Sequence, residues 1–269
     1  MTPFLKWVGG KRQLLKDIRP FIPAQFDRYV EPFMGGGAVF FDLAFEFSWV
    51  NDVNSELVNC YEVVRDDVEA LIAHLSEHKY EKTYFLEQRA LDRVDGGLAS
   101  LSPLVRASRF IFLNRTGFNG MYRVNSKGYF NVPFGTYKNP TIVNAELLRQ
   151  CSQHLQCVKI TNKSFMDVLA ECKKGDFVYL DPPYVPISPT ANFTQYSDGA
   201  FGQGEQVQLA EELHRLNAEG IPFLASNSYT PLVLELYEGL SVTTVLAKRA
   251  INSQPDRRQA IKEVLISNK

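Results

Sequence analysis

The run Asp181-Pro182-Pro183-Tyr184 is the part of this 269-residue chain best suited to chemistry. It follows an apolar run at 178–180, and consecutive prolines hold the backbone extended without donating hydrogen bonds. The run therefore predicts a rigid edge of acceptors, formed by the Asp181 carboxylate and the Pro182 carbonyl, beside the aromatic face of Tyr184. Because ligand sites lie at the carboxyl ends of parallel strands, we favour a binding site here over a plain surface turn.

Such acceptors suit an exocyclic amino group like N6 of adenine, which is a poor nucleophile because its lone pair is delocalised into the ring. Two acceptors that draw on its two N–H bonds favour a pyramidal nitrogen whose lone pair points at a methyl sulfonium. Transfer is then a direct in-line displacement aided by positioning and electrostatics. A base inside a duplex cannot enter such a pocket, so we expect it to be flipped out and stacked on Tyr184.

A second candidate site is the glycine-rich run Glu31-Pro32-Phe33-Met34-Gly35-Gly36-Gly37, where a predicted strand passes into a predicted helix. Glycine lets the backbone approach a ligand closely, and the helix start offers free N–H groups. Asp52 ends the next predicted strand, where its carboxylate can accept both hydroxyls of a ribose. The dinucleotide spacing G-x-G-x-x-G is absent, so a tight turn without a ligand stays an alternative.

Apolar runs that alternate with helical patterns would position both motifs. We predict strands at 28–31, 48–51, 157–161, 177–180, 222–226, 241–246 and 263–267, and helices at 38–45 and 204–217. This alternation indicates an α/β fold with a mostly parallel sheet covered on both faces. Residues 56–115 are helical in pattern, and residues 114–140, rich in Asn, Gly, Tyr and Phe, predict a hairpin with exposed loops.

The distribution of charge favours a nucleic-acid partner although the formal net charge is −1. Residues 103–140 carry six basic and no acidic side chains, and residues 1–20 and 247–262 each carry five basic side chains and one acidic. Basic charge gathered into a few segments suits a surface that follows phosphates. Three separate solvated faces would have the same composition and remain the alternative.

Composition and cysteine spacing exclude several classes. The chain has no apolar run near the ~20 residues that span a bilayer, and its N-terminus lacks a signal-peptide pattern. The four cysteines, at 60, 151, 157 and 172, form no C-x-x-C pair and no zinc-like spacing. We therefore expect reduced thiols, no metal and a cytoplasmic protein. The H-x-E and P-C-x-x-C motifs of zinc deaminases are absent.

Taken together, these motifs resemble the Dam-type (DpnII-type) family of DNA adenine-N6 methyltransferases, in the order of its alpha group. The resemblance covers nearly the whole chain. Its further segments are Phe4-Leu5-Lys6-Trp7-Val8-Gly9-Gly10-Lys11, Asn51-Asp52-Val53-Asn54, 114–123, 130–135, Ala191-Asn192-Phe193-Thr194 and Ser226-Asn227-Ser228. It implies the class I S-adenosylmethionine-dependent fold, a Rossmann-like mixed sheet with helices on both faces. A catalytic domain would span 1–55 and 145–269, and a mainly helical DNA-recognition domain with a β-hairpin would span 56–144.

The resemblance also assigns site residues. The S-adenosylmethionine contacts would be Trp7, Lys11, Glu31, Pro32, Phe33, Gly35, Gly37, Asp52 and Asp181, and the target adenine would be held by Asp181, Pro182, Pro183 and Tyr184. The DNA contacts would be Lys6, Arg115, Phe118, Asn119, Met121, Arg123, Pro133, Tyr137 and Lys138. Lys6 would read the first guanine of GATC. Arg123, with Met121, Pro133 and Tyr137 nearby, would read the remaining bases, since an arginine can pair bidentately with guanine O6 and N7. Phe118 and Asn119 would intrude where the adenine has left.

From residue type alone, Trp7 and Phe118 would be packing residues and Arg123 a surface charge. The segment Ser253-Gln254-Pro255-Asp256-Arg257-Arg258 departs from the Gly/Ser-rich lid of the family, which puts that loop's DNA contacts in question. The alternatives are cytosine-N4 transfer, an adenine site other than GATC, methylation of protein glutamine or RNA, and an inactive DNA-binding module. We expect a monomer that acts on double-stranded DNA, with a cognate restriction endonuclease as a candidate partner.

Overall fold

The computed structural model describes residues 1–187, 201–248 and 260–268. The strands are β1 (Arg28–Glu31), β2 (Ser48–Asn51), β3 (Val158–Thr161), β4 (Asp176–Leu180), β5 (Phe223–Ser228), β6 (Ser241–Lys248) and β7 (Ala260–Ser267). The α-helices are α1 (Leu15–Ile18), α2 (Ala38–Leu43), α3 (Ser55–Asp66), α4 (Val68–Ser76), α5 (Lys82–Ala90), α6 (Pro103–Thr116), α7 (Ala145–Leu155), α8 (Phe165–Ala170), α9 (Gln203–Glu219) and α10 (Pro231–Leu236). Short 3-10 turns lie between them, including Lys11–Gln13 and Phe118–Gly120.

The predicted strands are all present; the first two have the predicted ends, and the ends of the other five are displaced by up to three residues. The helix predicted at 38–45 stops at Leu43 because Ala44 turns the backbone into the left-handed region, at φ 52°. The helix predicted at 204–217 runs over Gln203–Glu219 and ends at Gly220, at φ 69°. A glycine just past the last turn is the usual end of a helix because it adopts this φ without strain.

The chain forms two compact units. The first contains residues 1–10, 35–46 and 52–162, and the second contains 11–34, 47–51 and 163–269. The domain division at 1–55, 56–144 and 145–269 stays a prediction.

The second unit is built on six strands of a seven-stranded sheet, in the order β2-β1-β4-β5-β7-β6. Strands β2, β1, β4 and β5 are parallel, and β7 pairs antiparallel with both β5 and β6. Every residue of β4 is buried, as expected for a parallel strand covered on both faces. Its apolar side chains pack with those of α8, α9 and β5. The residues that follow β4 are therefore attached to a well-packed core.

The first unit is mainly helical. Helices α3 and α6 are capped at their N-termini by Asn54 and Ser102, whose side chains accept backbone N–H groups of the first turn. Phe112 and Leu113 of α6 pack with Phe85, Phe130 and Val132 in an apolar cluster. The segment that follows is paired by two bridges, Gly117 with Phe134 and Val124 with Phe130, which form a short hairpin with loop-like arms.

Within the described part of the chain, no helix is both long and apolar enough to cross a membrane. The four cysteines are free thiols, and burial raises the pKa of Cys151 and of Cys172 to about 12. These two side chains are therefore inert thiols that fill the core.

Candidate active site

The carboxylate of Asp181 lies directly after β4 and is held from two sides within the second unit. Its Oδ1 atom is 2.6 Å from Nζ of Lys11 and accepts a hydrogen bond of 3.0 Å from Oγ of Ser226. Lys11 is almost fully buried, whereas the Asp181 side chain is 22% exposed. No described residue donates a hydrogen bond to the other oxygen, Oδ2. The pair therefore fixes the carboxylate through one oxygen and leaves the second available.

Tyr184 is fixed at both its hydroxyl and its ring. The hydroxyl donates a hydrogen bond of 2.9 Å to Oε2 of Glu263 on β7, and Nζ of Lys11 lies 4.7 Å from the ring centroid. Burial raises the pKa of Tyr184 well above its usual value, and the carboxylates of Asp181 and Glu263 raise it further. Tyr184 is therefore a neutral phenol that donates a hydrogen bond and presents an aromatic face.

The backbone of the same run is braced by β5 and α9. The Pro183 carbonyl accepts a hydrogen bond of 2.7 Å from Gln206, and the Val185 carbonyl accepts one of 2.6 Å from Ser228. The preceding carbonyl, that of Pro182, receives no hydrogen bond from the part of the chain that the structure describes. Thus the acceptor edge predicted from the sequence consists of Asp181 Oδ2 and the Pro182 carbonyl.

The glycine loop of the first unit is held by Asp52. Backbone N–H groups of Gly35 and Asn54 each donate a hydrogen bond of 2.9 Å to one oxygen of this carboxylate. Burial raises the pKa of Asp52, and the two N–H groups oppose that shift. Gly35, at φ 49°, and Gly37, at φ 68°, hold left-handed conformations at the start of α2. The Asp52 carboxylate thus fixes the backbone of the loop at Gly35 and keeps further lone pairs for a ligand.

Trp7 packs directly over this loop. A Cβ atom added at Gly35 would lie 2.7 Å from Nε1 of Trp7, and one added at Gly36 would lie 2.7 Å from its Cβ. The indole also stacks with Tyr122, at 6.1 Å between ring centroids and 15° between planes. The absence of side chains on the loop is therefore what admits the tryptophan. Trp7 has the packing role expected from its type and lies against the glycine loop.

Lys6 is built into the hairpin region of the first unit. Its backbone N–H donates to Oδ1 of Asn114, at 2.9 Å, and its carbonyl accepts from Nδ2 of the same side chain, at 2.8 Å. Its ammonium lies 4.4 Å from the ring centroid of Tyr137. Burial and the nearby Arg115 guanidinium lower the pKa of Lys6. The lysine is thus held in one orientation rather than left to move in solvent.

Several of the remaining predicted DNA contacts lie on the exposed surface of the hairpin region. Phe118 is 48% exposed, and the adjacent Asn119 adopts a left-handed φ of 56°. Arg123 is exposed, and its Nε donates a hydrogen bond of 2.6 Å to Oδ1 of Asn131. Pro133 is exposed, and its carbonyl accepts from the Phe118 amide at 2.9 Å. Phe118 does not fit the packing interpretation, because half of a large aromatic side chain faces water.

Comparison with known proteins settles the family. Residues 7–251 match the family described as D12 class N6 adenine-specific DNA methyltransferase. The chain belongs to this family. It is 43% identical over 272 residues to Type II methyltransferase M1.LlaDCHI of Lactococcus lactis subsp. cremoris, covering 100% of this chain and 95% of that protein. It is 39% identical to Type II methyltransferase M.MjaIII of Methanocaldococcus jannaschii, covering 100% of this chain and 99% of that protein, and 37% identical to DNA adenine methylase of Escherichia coli K12, covering 97% and 93%.

The D12 methyltransferase is thus an adenine-specific DNA methyltransferase with the class I fold, as the resemblance implied. Other predicted site residues of this enzyme lie in less exposed settings. Glu31 is buried and accepts a hydrogen bond of 2.7 Å from the Tyr29 hydroxyl. The Pro32 carbonyl accepts one of 3.0 Å from Asn51, and the Phe33 ring stacks on Phe165 at 5.3 Å.

The last members of the predicted DNA-contacting set of the D12 enzyme differ in their surroundings. Met121 is half-buried against the apolar cluster of the first unit. Arg115 is half-buried and donates a hydrogen bond of 2.8 Å to the Thr141 carbonyl, whereas Lys138 is exposed. The segments 191–194 and 253–258 lie outside the described residues.

Two residues of the site were not predicted from the sequence. Glu263 and Gln206 lie 79 and 23 residues from their partners in the Asp-Pro-Pro-Tyr run. Glu263 carried one signal, a charged residue at the start of the apolar run predicted as the last strand. Gln206 carried none, because a glutamine in a helical pattern is typical of a solvated face.

Proposed function

We propose that this D12 methyltransferase transfers a methyl group from S-adenosylmethionine to N6 of adenine in double-stranded DNA at GATC, after flipping the adenine out of the helix. The observation that carries the proposal is the asymmetric Asp181 carboxylate. Lys11 and Ser226 both bind Oδ1, so Oδ2 and the Pro182 carbonyl remain as a pair of acceptors. An amino group with two N–H bonds matches that pair, whereas a hydroxyl has only one donor to offer.

The residues around the glycine loop fit an adenosyl sulfonium cofactor. Trp7 offers an aromatic surface, Gly35 to Gly37 offer a loop without side chains, and Asp52 offers a carboxylate for ribose hydroxyls. We assign the cofactor contacts to Trp7, Lys11, Glu31, Pro32, Phe33, Gly35, Gly37, Asp52 and Asp181. When bound, S-adenosylmethionine supplies an electrophilic methyl group.

The protein's own groups would then prepare the nucleophile. Asp181 Oδ2 and the Pro182 carbonyl would accept hydrogen bonds from the two N6 N–H groups and turn the nitrogen lone pair toward the methyl carbon. The new N–C bond forms as the S–C bond breaks, and the nitrogen gives up one proton to Oδ2 of Asp181 or to water. Stacking on Tyr184 would fix the plane of the base, and the Glu263 hydrogen bond would keep that ring in place.

Recognition of the duplex is assigned to the first unit. Lys6 and Arg123 would contact guanine edges, with Met121, Pro133 and Tyr137 beside them, and Arg115 and Lys138 would contact phosphates. Phe118 and Asn119 would fill the gap left by the flipped adenine. This assignment is supported by the Phe118 ring, which is half exposed in the turn Phe118–Gly120, since an exposed ring can stack on a base. We infer a monomer, with a cognate restriction endonuclease as a candidate partner.

The test is expression of the chain in a host that lacks adenine methylation, followed by sequencing that detects modified bases. N6-methyladenine confined to GATC is the expected result. Methylation at another motif would refute the assignment of Lys6 and Arg123, and N4-methylcytosine would refute the adenine target. The Asp181→Ala variant should abolish methylation while weakening, without abolishing, cofactor binding measured by calorimetry. Near-normal methylation by that variant would contradict the role of Asp181.

A further inference from the structure

Two buried amides connect the core of the second unit to the Asp-Pro-Pro-Tyr run. Asn227 on β5 and Gln206 on α9 are almost completely buried. Oδ1 of Asn227 accepts N–H groups from Val185, at 3.1 Å, and from Ser228, at 2.8 Å. Its Nδ2 donates to Oε1 of Gln206, at 3.0 Å, and Nε2 of Gln206 donates to the Pro183 carbonyl, at 2.7 Å.

The direction of these hydrogen bonds is determined at every step. Because Oδ1 of Asn227 receives two backbone N–H groups, its amide nitrogen must face Gln206. Gln206 must then present its oxygen to Asn227 and its nitrogen to the Pro183 carbonyl. Each hydrogen bond therefore has one possible donor and one possible acceptor. The series of bonds from β5 fixes the orientation of the Pro183 carbonyl in the Asp-Pro-Pro-Tyr run. Buried polar groups are costly unless they are satisfied, and here each one is.

This network acts on the torsions that place the acceptors. Proline fixes φ near −65°, so the direction of the carbonyls at Pro182 and Pro183 depends on ψ. The end of β4 and the anchored Asp181 side chain hold the chain before Pro182, and the Gln206 hydrogen bond holds the Pro183 carbonyl after it, which restricts those ψ angles. The Pro182 carbonyl is then aimed in one direction although no described residue binds it.

We propose that Gln206 is a positioning residue for methyl transfer, which sets the Pro182 carbonyl and Tyr184 through its hydrogen bond to Pro183. The inference rests on the proposed function, since it takes the Pro182 carbonyl as an acceptor for N6. Gln206 itself touches neither base nor cofactor in this role. Its loss would therefore lower kcat and leave the affinity for S-adenosylmethionine unchanged.

The sharpest test is Gln206→Glu, which changes one terminal group and makes the hydrogen bond depend on pH. A protonated carboxyl group donates its O–H to Pro183 and accepts from Asn227, so it reproduces both bonds. A carboxylate has no proton to donate and would repel the Pro183 carbonyl. Burial raises the pKa of a carboxyl group, which brings this switch into the range where the enzyme can be assayed.

At about pH 8.5 we expect the turnover of Gln206→Glu, divided by that of the wild type, to fall about 100-fold, the loss typical of misplacing a reacting geometry by about 1 Å. At about pH 5.5 the ratio should recover to within about threefold as the carboxyl group becomes protonated. The matched control is Gln208→Glu, an exposed glutamine on the same helix, whose ratio should stay near one at both pH values. Calorimetry should give the same S-adenosylmethionine affinity for all three proteins.

A ratio that is low but independent of pH would overturn the proposal, as would one that never falls. If a thermal melt shows that Gln206→Glu is unfolded at high pH, kcat and cofactor affinity are measured instead on Gln206→Met at neutral pH. Reduced kcat with unchanged cofactor affinity would then support the proposal, and wild-type kcat would overturn it. Failure of the proposed function is distinguishable, because the wild type itself would then place no methyl group on adenine.

Discussion

Ser226→Ala removes one atom that holds the acceptor carboxylate and leaves the rest of β5 intact. Ser226 is fully buried, and its Oγ donates to Asp181 Oδ1 at 3.0 Å. A hydrogen bond to a charged group contributes about 1.5–3 kcal/mol. If that energy orients Asp181 in the transition state, kcat/KM should fall about 10- to 150-fold, because each 1.36 kcal/mol is a factor of about ten.

The chain offers a matched control in Ser267→Ala. Ser267 lies on β7, which pairs with β5, is as buried as Ser226, and its Oγ has no hydrogen-bond partner in the described structure. Removing this hydroxyl should leave turnover unchanged. Initial rates of transfer from labelled S-adenosylmethionine to a duplex containing one GATC would give kcat and KM for both variants. Urea unfolding would report any loss of stability separately.

The two variants must differ for the reasoning to stand. Equal turnover of Ser226→Ala and Ser267→Ala would refute the view that Ser226 orients Asp181. A fall in kcat/KM that merely follows the loss of folded protein would refute it as well.

Three further predictions concern the hairpin, the glycine loop and a half-buried histidine. Arg123→Ala should lose about 1–3 kcal/mol of discrimination at one base pair, measured by competition between cognate and single-mismatch duplexes; equal loss on all duplexes would indicate a phosphate contact. Gly35→Ala should displace Trp7 and weaken S-adenosylmethionine binding measured by calorimetry, because its Cβ would lie 2.7 Å from the indole nitrogen at a left-handed φ; unchanged affinity would contradict this. Burial lowers the pKa of His78 to about 4 in the folded state, with His74 contributing. The unfolded chain therefore binds a proton first as pH falls, and stability should decline between about pH 6.5 and 4; urea midpoints that decline equally in His78→Gln would refute the assignment.

The α/β class, the strand positions and the location of the acceptor run were predictable because they depend on local pattern. The run at 178–180 is apolar without interruption, which is what a parallel strand buried on both faces requires. The backbone geometry of the two prolines after Asp181 follows from their residue type, since proline has one φ and no N–H. The ends of helices were less predictable: α2 stops early because Ala44 adopts a conformation that its residue type does not favour.

The partners of the motif could not be predicted in the same way. The roles of Glu263 and Gln206 depend on contacts with residues distant in sequence. The periodicity of a single sequence does not indicate which strand or helix a side chain will contact. The antiparallel register of β5 and β7 places Glu263 opposite Ser228, next to the run. That register is a property of the folded sheet, and it decides whether the glutamate meets Tyr184 or water.

These contacts have one physical effect in common: each fixes a group next to an acceptor that has no partner in the described structure. An acceptor meant for a substrate must lack a partner in the protein, yet an acceptor without a partner is free to rotate unless its neighbours are fixed. Here the neighbours are fixed: Lys11 and Ser226 bind the opposite oxygen of Asp181, and Gln206 binds the carbonyl after Pro182. Because preorganised acceptors need no reorientation during the reaction, the cost of aligning them is met when the protein folds. Variants of the bracing residues should therefore lower kcat far more than they weaken substrate binding.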